Sequence, residues 1–153
     1  MRLLIVIVNY RTAQLTIDCL RSLEPQVSAK PGIRVVVTDN ASGDGSAQQI
    51  AQAIEQGGWS GWASMMPLER NGGFAYGNNA AIRPALAAAD KPEYVLLLNS
   101  DTIVMPGAID ALLAFMDEHP DVGLAGSRIE NPDGTPRRSA FRFHSLAGEF
   151  EKA

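Results

Sequence analysis

Four short apolar runs, each closing on a polar cluster and separated by segments of helical period, constrain this chain more than any other feature. Residues 3–8 (LLIVIV) form a continuous β-branched run, the pattern of a strand buried on both faces. Residues 33–38 (IRVVVT) repeat it, residues 94–98 (YVLLL) give a further strong strand, and a weaker one falls within 62–68. Between them Thr16, Cys19, Leu20 and Leu23 share one helix face behind a Thr12 N-cap, and Pro25 with Pro31-Gly32 is expected to break that helix. Ala47, Ile50, Ala51 and Ile54 repeat the spacing until Gly57-Gly58. Residues 74–89 favour helix despite Pro84, and Ile109, Leu112, Leu113 and Met116 mark another. A short strand is expected at 122–125, then a turn at Asn131–Gly134 leading to an arm that contains FRFH. Strand–helix alternation of this kind predicts an α/β fold, a mostly parallel sheet sandwiched by helices.

In such sheets ligands bind outside the carboxyl ends of the strands. The first strand runs into Asn9-Tyr10, and the second into Asp39-Asn40-Ala41-Ser42. The third is followed by Arg70-Asn71-Gly72-Gly73-Phe74 and the fourth by Asn99-Ser100-Asp101. One such cluster is what any turn or helix cap uses. Four on a common edge describe a site. Asp39 and Asp101 are its carboxylates, and a carboxylate leaving water needs a hydrogen-bonding, cationic or metal partner.

The residue inventory narrows the chemistry. Thirteen Lys+Arg against seventeen Asp+Glu give a net charge of −4, which argues against a nucleic-acid partner held by bulk positive charge. The single Cys19 excludes intrachain disulfides and Cys-rich zinc sites and suits a reducing, cytoplasmic compartment. No apolar run approaches a membrane span. There is no G-x-S-x-G elbow, H-E-x-x-H or P-loop, and the first strand–helix turn, NYRTAQ, lacks the glycines of a dinucleotide fingerprint. His119 precedes Pro120 at a helix end, a place for capping or solvent rather than catalysis. What remains is an oxygen-rich site for a hard cation beside an anionic ligand. Mg2+ or Mn2+ is commonly held by one or two carboxylates together with ligand phosphates. The loop at Gly72-Gly73 can bring backbone N–H groups to phosphate oxygens at a helix N-terminus.

The series VNY at 8–10, TDNASGDGS at 38–46, NGGFAYGNN at 71–79 and LLNSD at 97–101 resembles the family 2 glycosyltransferases of the Rossmann-like GT-A fold. The likeness is to the rhamnosyltransferase-like branch of bacterial surface polysaccharide synthesis, and VGLAGSRIENPDG at 122–134 continues it. The resemblance implies a single nucleotide-sugar-binding domain over 1–153, with a donor-binding core at 1–127 and a C-terminal arm at 128–153. It implies that Val8, Asn9 and Tyr10 line a nucleobase pocket and that Asp39 accepts the imide N–H of a uracil- or thymine-type base. Asn71, Gly73 and Asn78 would shape the loop and helix beside the nucleoside and phosphates. Asn99, Ser100 and Asp101 match a DxD-type motif with Asp101 as ligand of Mg2+ or Mn2+, and Asn99 leaves it one carboxylate short.

The implied reaction is inverting transfer of a sugar from a nucleotide diphosphate sugar, UDP- or dTDP-linked, to the hydroxyl of a glycan or lipid-linked acceptor. The family's catalytic base has no counterpart here. Only 52 residues follow Asp101, and Glu149 and Glu151 match no motif. The chain thus reads as a GT-A domain truncated before the acceptor-binding half. Two rivals stand beside this reading: a non-catalytic nucleotide-sugar-binding module, and a sugar-nucleotide nucleotidyltransferase, for which NYRTAQ supplies no phosphate loop. Arg137, Arg138 and Arg142, interleaved with Phe141, Phe143 and His144, are either a solvated face, the preferred reading, or a contact with a phospholipid-linked acceptor at the inner membrane surface. Trp59 and Trp62 are expected to pack beside the third strand rather than stack on a sugar.

Overall fold

The computed structural model describes residues 1–137. Contacts divide the chain into two compact units, the first ending at Gly107. In the first unit β1 (Leu3–Asn9), β2 (Ile33–Asp39), β3 (Ala63–Pro67) and β4 (Tyr94–Asn99) form one sheet in the order β3-β2-β1-β4. Every pairing is parallel, with Asn9 opposite Asp39 and Val8 opposite Asn99, so the strands finish on one edge as the sequence predicts.

The hydrophobic pattern explains the layering. Leu3, Leu4, Ile5, Val6 and Ile7 are all buried, because β1 is central and covered on both faces. Leu4 and Val6 pack against Ala81 of α3 (Phe74–Ala87). On the alternate face Asn9 reaches Thr16 of α1 (Ala13–Val27), so α1 and α3 lie on opposite sides of the sheet. Helix α2 (Ser46–Gln56) packs with α1 and β3. Gly77 permits the close approach of α3, since a Cβ there would stand 2.7 Å from Val8 Cγ1. Trp59 and Trp62 are buried beside β3 with ring centroids 5.8 Å apart, as expected.

Two local expectations are corrected. Helix α1 continues through Pro25 to Val27 instead of breaking there. The proline costs the helix one i→i−4 bond, but the helix ends only two residues later, and Gln26 Nε2 donates to the Ser22 carbonyl across this last turn. No strand forms at 122–125, because no strand among the described residues pairs with that segment, and Leu124 is 94% exposed.

The second unit holds α4 (Ala108–Glu118) and a hairpin of β5 (Ile129–Glu130) and β6 (Pro136–Arg137). The expected turn at Asn131–Gly134 closes this hairpin, with Gly134 N–H donating to the Asn131 carbonyl at 2.8 Å. Arg138, Phe141, Arg142, Phe143, His144, Glu149 and Glu151 lie outside the described residues. Among the described residues no helix is long and apolar enough to cross a membrane.

Candidate functional site

The parallel edge gathers the sequence-singled residues into two groups, one on each face of the sheet. On the α1 side stands Asp39, 4% exposed at the end of β2. Its Oδ1 accepts from Asn9 Nδ2 at 2.6 Å and from Ser42 Oγ at 2.5 Å, and its Oδ2 accepts from the Ser42 N–H at 3.0 Å. A carboxylate has about four lone-pair sites, so one acceptor position on Oδ2 is left over. These three bonds hold the carboxylate in one orientation.

Asn9 does the holding. It is fully buried, and its Oδ1 accepts from Thr12 N–H, Thr12 Oγ1 and Thr16 Oγ1 at 3.3, 3.0 and 3.0 Å. Thr12 therefore occupies the N-cap position of α1 with its hydroxyl turned back to Asn9, and makes no side-chain cap of its own. With its amide engaged at both ends, Asn9 orients Asp39. Tyr10, by contrast, is 42% exposed with the Arg11 guanidinium 5.2 Å from its ring centroid.

Two non-glycine residues flank this group in the left-handed region, Arg11 at φ 58° and Ala41 at φ 56°. Each such conformation costs about 1–2 kcal/mol and persists only where neighbours enforce it. Here the Arg11 N–H donates to Ser42 Oγ at 2.9 Å and Arg11 Nε to the Ser42 carbonyl at 3.1 Å. Ser42 is thus the hub joining β1, β2 and the turn after each, and sequence reasoning assigned it no role. Its signal was its place three residues after Asp39.

On the α3 side lie Val8, Thr38, Gly73, Gly77 and Asn78. Val8 points away from Asn9, against Gly77, so the side chains of Val8 and Asn9 do not line one pocket. Asn71 Oδ1 accepts the Gly73 N–H at 2.9 Å, which turns the chain into α3, and Gly73 itself takes φ 83°. Asn40 Nδ2 ties this loop to β2 by donating to the Gly73 carbonyl at 3.0 Å, and Asn78 Nδ2 donates to the Phe74 carbonyl at 2.9 Å. Asn40 Oδ1, Asn78 Oδ1 and Thr38 Oγ1 are buried without a hydrogen-bond partner. Buried polar atoms left this way are uncommon in folded proteins.

Beyond β4, Ser100 Oγ lies 3.2 Å from Thr12 Oγ1, whereas Asn99 and Asp101 are exposed. Beneath them Cys19 Sγ faces the Asn99 carbonyl at 3.8 Å. The Cys19 thiol is pushed up to about 12, first by burial and second by the negative charge of Asp101. Among the described residues no basic side chain pairs with Asp101, and no three His, Cys, Asp or Glu side chains form a metal cage. An exposed carboxylate flanked by amide and hydroxyl oxygens fits a hard cation that takes its remaining ligands from phosphates. Away from the edge, Asp44 is held below the usual carboxylate range by the Ser46 hydroxyl and then the Ser46 N–H.

A sequence model of glycosyl transferase family 2 matches residues 4–151. The chain belongs to this family. It is 30% identical over 120 residues to an N-acetylglucosaminyl-diphospho-decaprenol L-rhamnosyltransferase of Mycobacterium tuberculosis, covering 74% of this chain and 37% of that protein. Among solved structures, S. aureus TarS 1-349 superposes with a TM-score of 0.63 at 27% identity over 78% of this chain and 33% of that one. TarS has also been solved with UDP and with UDP-GlcNAc. A mannosyltransferase from Pyrobaculum calidifontis, in complex with GDP-Man and Mn2+, superposes at 0.65 with 22% identity over 86% of this chain and 36% of its own, a likeness of fold. The chain spans about a third of the length of these relatives. The mostly parallel, helix-flanked sheet expected from the sequence is the GT-A architecture of these proteins.

Proposed function

We propose that the carboxyl edge of the sheet binds the donor of an inverting glycosyltransferase, a nucleotide diphosphate sugar with a UDP- or dTDP-type nucleotide. The observation that carries this reading is Asp39, a buried carboxylate fixed by three donors with one acceptor position left. That geometry suits the single N–H of a uracil or thymine imide. Tyr10, next to Asn9 in the chain, offers an exposed ring, and Asn9 and Ser42 keep the carboxylate from rotating away. Asn71, Gly73 and Asn78 shape the other wall, where Asn40 and Asn78 hold acceptors in reserve. Val8 contributes by seating α3 through Gly77.

Asn99, Ser100 and Asp101 would face the diphosphate, with Asp101 as ligand of Mg2+ or Mn2+. The cation, when bound, offsets the charge that develops on the leaving diphosphate. Asp39 and Asp101 are both committed to the donor in this reading, so deprotonation of the acceptor hydroxyl falls to a different group. The acceptor in this reading is a glycan or lipid-linked hydroxyl of bacterial surface polysaccharide synthesis, met at the inner membrane face; the diphospho-decaprenol in the name of the Mycobacterium relative supports the lipid-linked form.

Calorimetric titration with UDP, dTDP and GDP, each with and without Mn2+, tests the reading. Binding of a pyrimidine nucleotide that Mn2+ strengthens, and that Asp39→Asn weakens, is expected. Absence of binding to all three overturns it.

A further inference from the structure

The segment after β4 is not held by the sheet. Residues 100–107 contain no strand or helix, and Ile103 and Met105 are each 60% exposed. Its anchor is Val104, 9% exposed, whose two backbone groups are both taken by side chains of α1. The Val104 N–H donates to Ser22 Oγ at 2.9 Å, and Gln26 Nε2 donates to the Val104 carbonyl at 3.3 Å. Ser22 Oγ can accept that bond because its own proton goes to the Cys19 carbonyl at 2.7 Å. At the other end of the segment Thr12 Oγ1 meets Ser100 Oγ, and Cys19 Sγ meets the Asn99 carbonyl. Thr12, Cys19, Ser22 and Gln26 thus grip residues 99–104 along about 20 Å of helix at 1.5 Å per residue.

We propose that Ser22 and Gln26 are positioning residues for Asp101: they imitate the backbone partner that a neighbouring strand would supply and so fix the loop that presents the carboxylate. Resting on the donor-site reading above, the inference assigns α1 a part in the cation-dependent share of nucleotide diphosphate binding. Removing the Ser22 hydroxyl strands the Val104 N–H, a loss of the size that commonly costs about tenfold in an equilibrium constant. That loss should appear where the loop matters, in the gain of affinity that Mn2+ confers. Uridine, which lacks phosphates, should not report it.

The test is titration of wild type, Ser22→Ala, Ser22→Thr and Gln26→Leu with UDP and with uridine, each with and without Mn2+, together with amide exchange at Val104. Ser22→Ala should lower the Mn2+ enhancement of UDP affinity about tenfold, leave uridine affinity within about twofold, and speed exchange of the Val104 N–H. Ser22→Thr, which keeps the hydroxyl, should restore all three. A wild-type Mn2+ enhancement in Ser22→Ala overturns the positioning role, and so does an equal loss for uridine, which would mean general loosening. A wild type that binds neither compound overturns the donor-site reading and this inference together, and is thereby distinguishable from failure of the clamp alone.

Discussion

Replacing Asn9 with leucine removes the polar bridge between β1, β2 and α1 while keeping a side chain of similar size in the same space. The main loss is the 2.6 Å bond from Asn9 Nδ2 to Asp39, a buried hydrogen bond to a charged acceptor worth about 1.5–3 kcal/mol. The Thr12 N–H, 3.3 Å from Asn9 Oδ1, loses its acceptor at a further cost of about 1 kcal/mol. Thr16 adds little, because its hydroxyl keeps the Thr12 carbonyl at 3.1 Å. The sum is about 3 kcal/mol, or roughly 10 °C in Tm for a domain of this size. Urea denaturation followed by far-UV circular dichroism gives the number directly. The sharper readout is a double-mutant cycle with Asp39→Ala. In that background Asn9 has no carboxylate to hold, so Asn9→Leu should cost at least about 1 kcal/mol less than in wild type. An Asn9→Leu penalty within about 0.5 kcal/mol of zero, or strict additivity in the cycle, would refute the assignment of Asn9 as the residue that fixes Asp39.

Gly77→Ala places a methyl 2.7 Å from Val8 Cγ1 and 3.2 Å from Thr38 Oγ1, so it should destabilise the fold by about 1–3 kcal/mol in denaturant titrations and weaken nucleotide binding by displacing α3. Cys19, buried and with its thiol pushed up to about 12, should resist iodoacetamide at pH 8 in the native chain and react once the chain is unfolded in urea. The Asp44 carboxylate is lowered by its bonds from Ser46, so its stabilising effect is present above the ordinary Asp range and is lost as pH falls through the folded value. Asp44→Asn should accordingly lower Tm at pH 7 and make a smaller difference near pH 3.

What was legible in the sequence was whatever rests on local pattern. The run at 3–8 became a strand buried on both faces because its residues needed no particular partner, only cover. The polar clusters fell on one edge because parallel pairing leaves no other arrangement for strands joined by helices. The failures lie where a long-range contact decides the outcome. A strand at 122–125 required a neighbour that the described residues do not supply. Pro25 looked like a helix stop, yet α1 continues past it to Val27, and the next residue, Gln26, is held at Val104, far away in sequence. The partners of Asn9 were equally hidden, because an Asn after a strand reads the same whether it faces solvent or a buried carboxylate. Only the meeting of β1 with β2 and α1 shows that its amide is already engaged.

Helix α1 connects the two carboxylates that the sequence singled out. Asn9 Oδ1 sets the start of α1 through Thr12 and Thr16, and Asn9 Nδ2 sets Asp39. From that start, Thr12 reaches Ser100, and further along the helix Ser22 and Gln26 grip Val104. One asparagine at the end of β1 is therefore upstream of both halves of the proposed donor site, whereas Ser22 is upstream of one. The two substitutions should separate accordingly. Asn9→Leu should weaken uridine and also reduce the Mn2+ enhancement of UDP binding; Ser22→Ala should reduce the enhancement alone. If Asn9→Leu weakens uridine and leaves the enhancement at the wild-type value, then Ser22 and Gln26 hold the Asp101 loop without help from the N-terminus of α1. The contact between Thr12 and Ser100 would then be a consequence of the loop's position and not a cause of it.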